Sequence, residues 1–99
     1  MMPNAKQIQQ LQAKMMKIQE QLGDETVEAS VGGVVTVTMT GHHEVRGIKI
    51  DPAAVDPDDV ESLEDALMTA FNQALEKASA LAQERMGALT GGMRIPGMF

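Results

Sequence analysis

Apolar residues return near the start of the chain at Ile8, Leu11, Met15, Ile18 and Leu22, in steps of three and four. This unbroken a/d seam predicts a helix over residues 4–22. Asn4 is placed to cap the helix and Gly23 to stop it. Most of the remaining surface is Gln and Lys, with Met16 the one large apolar residue off the seam. A seam this narrow suits packing against a single partner helix rather than a broad core.

The period then changes from helical to two. Val35, Val37 and Met39 alternate with Thr36, Thr38 and Thr40, so one face of this strand is apolar and the other carries hydroxyls. A sheet of this kind is expected to be covered on one side only. Gly32-Gly33 lies between Val31 and Val34 and predicts a two-residue hairpin turn at positive φ, joining a strand near 25–31 to the run at 34–40. Gly41 to His43 makes the next turn, and Glu44 to Ile50 the third strand. Its apolar set of Val45, Ile48 and Ile50 breaks strict alternation at Gly47, which points to a bulge.

Asp51-Pro52 closes the sheet, and Asp56-Pro57 has the form of a helix start, with a capping carboxylate and proline at the first helical position. Asp58, Asp59 and Glu61 fall in that first turn, where the helix dipole favours anions. Val60, Leu63, Leu67, Phe71, Ala74, Ala78, Leu81 and Met86 recur at helical spacing, and alanines stand at 66, 70, 74, 78 and 82. A helix over 57–88 is on the order of 48 Å long, more than a compact chain of this size can enclose. Part of it must project or pack on another chain. Residues 90–99 read as a glycine-broken tail. The pattern as a whole is a single α+β domain over 1–99: helix, three-stranded antiparallel sheet over 25–50, long helix.

Composition sharpens this picture. The 99 residues contain two Phe, no Tyr and no Trp, and the apolar load falls on aliphatic side chains and nine Met. Such a chain lacks the large aromatic side chains that dominate compact cores and suits thin, elongated packing completed by a second subunit. With no Cys, disulfides and thiolate chemistry are excluded. No apolar run reaches the length of a membrane span or a signal-peptide core, so a cytoplasmic location is expected. The net charge of −6 argues by itself against nucleic acid, but the charges are segregated. Eight of the fourteen carboxylates lie in 51–76, which holds no base. Lys6, Lys14 and Lys17 stand against Glu20 alone in residues 1–22, and Lys77, Arg85 and Arg94 against Glu84 alone in 77–99.

Four strings add a resemblance. They are Val27-Glu28-Ala29-Ser30-Val31-Gly32-Gly33, then Ile48-Lys49-Ile50-Asp51-Pro52, then the run from Asp56-Pro57 to Glu64-Asp65, and last Met86-Gly87-Ala88-Leu89-Thr90-Gly91-Gly92 with its closing Ile95-Pro96-Gly97-Met98-Phe99. In this order they resemble the YbaB/EbfC family. The resemblance covers nearly the whole chain. It implies a tweezers-like homodimer with the sheets as body and the helices as arms. It also implies duplex DNA binding with little sequence preference and a role in the nucleoid, often beside recombination genes.

The chemistry-bearing residues support no catalytic assignment. His42-His43 is adjacent on a turn without a third ligand type nearby. The acidic run at 56–65 lacks the central glycine of a calcium loop and is better read as helix capping. No nucleophile, base and orienting group can be assembled, and no metal or cofactor is implied. On the residues alone, the Lys/Gln face of the first helix is a solvated surface. With the resemblance it becomes a contact surface, since lysines neutralise phosphates and glutamine amides donate to phosphate oxygens or base edges. The expected DNA contacts are Lys6, Lys14, Lys17, Lys77 and Arg85, with Arg46 and Lys49 on the sheet as secondary candidates. The alternative is a protein–protein adaptor for recombination or transcription machinery whose DNA affinity is incidental.

Overall fold

The computed structural model describes residues 5–89. The expected Asn4 cap, Arg94 and the tail at 90–99 lie outside the described residues. The order of elements is α1 (Ala5–Asp24), β1 (Thr26–Val31), β2 (Val35–Thr40), β3 (Val45–Ile50), a single 3-10 turn (Pro52–Ala54) and α2 (Val60–Leu89). The strands form one antiparallel sheet in the order β1-β2-β3. This is the α+β arrangement the sequence pattern predicts.

Alternation along β2 decides where the core sits. Val35, Val37 and Met39 are almost fully buried beneath α2, together with Ala29 of β1 and Ala70, Ala74 and Ala78 of α2. The alanine row has no side chain long enough to hold the helix off the sheet, so α2 lies close over β1 and β2. On the opposite face Thr36 Oγ1 lies 3.1 Å from Ser30 Oγ and Thr38 Oγ1 lies 3.5 Å from Glu28 Oε1. β3 carries its apolar residues in register with the buried row, pairing Ile50 with Val35, Ile48 with Val37 and Val45 with Met39. The pairing shifts by one residue between Thr38 and Met39, and this bulge at Arg46–Gly47 lets side chains at 45, 48 and 50 share one face. Yet every residue of β3 is exposed.

Three local details differ from expectation. First, Gly32 and Gly33 take positive φ of 57° and 70°, but Val31 pairs with Val35, so the loop holds Val34 as a third residue. The Val34 N–H still closes the turn on the Val31 carbonyl at 2.9 Å. Second, Gly23 does not end α1. The helix runs on to Asp24, because its last carbonyls find donors: Glu25 N–H reaches Gln21 O at 3.0 Å and Gly41 N–H reaches Leu22 O at 2.9 Å. Third, Asp56-Pro57 does not open α2. The Asp56 carboxylate accepts the Asp58 N–H at 2.9 Å, which makes a separate turn. Asp59 caps the helix instead, accepting the Ser62 N–H at 3.3 Å and its hydroxyl at 2.6 Å.

The chain is elongated, 66 × 28 × 15 Å with a radius of gyration of 18.8 Å. A compact domain of this length has about 13 Å. Its accessible surface of 7492 Å² exceeds the roughly 5,500 Å² of a compact monomer of the same mass. Two apolar surfaces stand open among the described residues. One is β3 with the neighbouring side of α2, where Leu75 and Met68 are also exposed. The other is the outer part of the α1 seam. Leu22 is buried against the sheet end, but Ile8, Leu11 and Met15 are exposed, so Met15 is not the core residue its place on the seam suggests.

Candidate nucleic-acid interface

Lys14, Lys17 and Gln21 fall on one side of α1 because they are spaced three and four residues apart. Together with Ile18 they meet Ala88 of α2 across an open cleft of about 300 Å³. The cleft exists because the two helices run antiparallel where they meet: Ala88 lies by α1, while Arg85, one turn earlier, reaches Glu25 just past its end. Lys6 is exposed two turns further out on α1. Among the described residues no hydrogen bond or ion pair engages Lys6, Lys14 or Lys17.

Three of the other candidate cations, Lys77, Arg46 and Arg85, are tied down. Lys77 Nζ donates to the Glu28 carbonyl of β1 at 2.7 Å. Arg46 Nη2 donates to the Gly23 carbonyl at 3.1 Å. Lys49 is exposed on β3, opposite Thr36. Arg85 makes a two-pronged pair with Glu25, Nε to Oε2 at 3.0 Å and Nη2 to Oε1 at 2.6 Å. Hydrogen bonding to Arg85, helped by its charge and opposed by partial desolvation, holds the Glu25 carboxyl below the usual glutamate range. The same hydrogen bond and charge raise Arg85. Glu25 has no mark in the sequence, since its partner is 60 residues away. Gln21 was legible only as one more polar residue of α1.

The acids gather at the other end. The Asp51 N–H bonds to the Val34 carbonyl, beside the β1–β2 turn, while the cleft lies past the Gly41 end of β2. Asp56, Asp58, Asp59, Glu61, Glu64 and Asp65, all exposed, follow in the connection to α2 and its first turns. With α2 spanning 30 residues, or about 45 Å, these carboxylates stand well apart from the lysines of α1, although α1 itself also carries Glu20 and Asp24. Among the described residues no group of three or more His, Cys, Asp or Glu is placed to hold a metal ion. No helix among them is long and apolar enough to cross a membrane.

Fold and charge layout together define a small α+β protein with a helical arm that carries cations away from an acidic body. The sequence model of the YbaB/EbfC DNA-binding family matches residues 1–93, and the chain belongs to that family. It is 51% identical over 88 residues to a nucleoid-associated protein of Roseiflexus castenholzii, covering 89% of this chain and 88% of the relative. A nucleoid-associated protein of Pelotomaculum thermopropionicum is 46% identical over 95 residues, covering 95% and 90%. The crystal structure of an uncharacterized protein from Helicobacter pylori shares the fold, with a TM-score of 0.76 over 91% of this chain and all of that one, at 20% identity. The family is one of nucleoid-associated DNA-binding proteins rather than of enzymes.

Proposed function

We propose that this protein binds duplex DNA in the nucleoid as a homodimer, with little sequence preference, and thereby influences DNA organisation, gene expression or recombinational repair. The observation that carries the reading is the segregation of charge along the long axis. Lys14 and Lys17 share one cleft, Lys6 extends their helix outward, and the carboxylates of 51–65 stand at the far end of the sheet. A duplex approaching the α1 end meets cations first, although the net charge is −6. Lys77 and Arg85 join the contact only by giving up the intramolecular bonds they now make.

The dimer is supported by β3. Val45, Ile48 and Ile50 stay 42%, 44% and 37% exposed while continuing the face that α2 covers over β1 and β2. A second copy laid against this row would complete the core and bring two α1 arms into one particle, doubling every phosphate contact. Light scattering at micromolar concentration is expected to give about twice 10.6 kDa, and a steady 10.6 kDa would remove the dimer from the reading.

Gel-shift titration on unrelated duplexes at several salt concentrations tests DNA binding. Affinity is expected to fall log-linearly with salt, at roughly −0.9 per phosphate contact. Lys14→Ala with Lys17→Ala is expected to flatten that slope and weaken binding about equally on every sequence. Both side chains are exposed, so the fold is expected to survive. An unchanged titration would make the lysines a solvated face. A loss on one sequence alone would point to base readout by the glutamines. Absence of salt-dependent retention in the parent would favour the adaptor for recombination or transcription proteins.

A further inference from the structure

We propose that Glu25 is a built-in competitor for Arg85, and that a backbone phosphate displaces it when the chain engages a duplex. The inference rests on the DNA-binding reading above and names a regulating contact within the same site. Lys14, Lys17 and Gln21 climb α1 at intervals of about one turn, roughly 5.4 Å, and Glu25 follows Gln21 at the next interval, its N–H bonded to the Gln21 carbonyl. On the facing helix Ala88 and Arg85 are also one turn apart. The cleft that Lys14 and Lys17 line therefore leads toward the Arg85 guanidinium, and Glu25 occupies that guanidinium.

The geometry of the pair is that of phosphate recognition. A guanidinium presents two parallel N–H groups that match a carboxylate or a phosphate equally well, and both are spent on Glu25. The pair is accessible, with side chains 40% and 35% exposed, and a half-exposed ion pair is weakly held. Neighbouring phosphates of the same strand also meet Lys14 and Lys17 along the cleft, which Glu25 does not offer. Exchange leaves Glu25 in solvent and adds one cation per subunit to the contact. The chain then binds DNA less tightly than its cations permit, because part of each contact is spent on displacing its own carboxylate.

The test compares the full-length parent with Glu25→Gln, Arg85→Ala and the double variant by gel shift on a random duplex across a salt series. Glu25→Gln is expected to bind on the order of threefold to tenfold more tightly at low salt. Its salt slope is expected to match the parent's, because Arg85 meets a phosphate in both complexes, whereas Arg85→Ala is expected to flatten the slope by roughly 0.9 per subunit. The double variant is expected to lose that gain. An unchanged Glu25→Gln affinity overturns the inference, and so does a gain that persists without Arg85, which would be ordinary relief of repulsion. Salt-dependent retention of the parent with no response to Glu25→Gln overturns this inference alone, whereas no retention of any variant overturns the DNA-binding reading beneath it. A second measurement needs no variant: the Arg85 Nε–Hε resonance of the parent is expected to move on adding duplex, and a stationary resonance under saturating duplex overturns the exchange.

Discussion

β2 and β3 are neighbouring strands with similar apolar side chains in register, yet Val35, Val37 and Met39 are sealed while Val45, Ile48 and Ile50 stay exposed. Strand chemistry cannot explain the contrast. Coverage does: α2 packs over β1 and β2. Ser79 Oγ meets His43 Nε2 at 3.0 Å, so the β3-facing side of α2 runs past the β2–β3 turn, while Lys77 on its other side holds β1. One helix spans two strands, and the third is left for something outside the chain. The same pattern therefore has two meanings, a core within the chain and an interface beyond it.

The largest effect that sharpens this contrast is Val37→Asp, which puts an unpaired carboxylate under α2. It is expected to destabilise by more than about 4 kcal/mol and to abolish cooperative melting by circular dichroism. The paired substitution, Ile48→Asp, is expected to keep the helical signal and a cooperative transition while shifting the scattering mass toward 10.6 kDa. If Ile48→Asp unfolds the chain as Val37→Asp does, β3 belongs to the core and the comparison fails.

Gly41→Val is next in size. A Cβ at Gly41 would stand 2.8 Å from both the Leu22 carbonyl oxygen and Leu22 Cδ2, where α1 rests on the sheet end. The backbone oxygen cannot turn aside, so a loss of about 1–3 kcal/mol is expected. The arm is expected to loosen before the sheet does, visible as earlier amide exchange in α1. Equal exchange in both elements would show that arm and body are one cooperative unit.

The smallest effect is electrostatic. Glu25 is held below its ordinary value of 4.5 by Arg85, so the stability it contributes is fully present above that value. It is lost as pH falls through the lowered value of the folded state. The melting temperatures of the parent and Glu25→Gln are expected to differ near neutrality and to converge in acid below that range. A constant difference would mean that the ion pair does not tether α2 to the α1–β1 joint.

The sequence by itself determined the order and type of the elements, because period 3.6 and period 2 are local properties of neighbouring side chains. It determined the positive φ at Gly32 and Gly33, the bulge in β3 and the partition of charge for the same reason. It misjudged the start of α2, since Asp56 and Asp59 both have capping chemistry and only the backbone path decides which carboxylate reaches a helical N–H. The tertiary structure alone decided three other things: that the α1 seam is buried at Leu22 but open at Met15, that β3 lies beyond the reach of α2, and that Arg85 is occupied by Glu25. Each depends on which surfaces meet across long stretches of chain, and a pairing 60 residues apart has no periodicity by which a sequence can announce it.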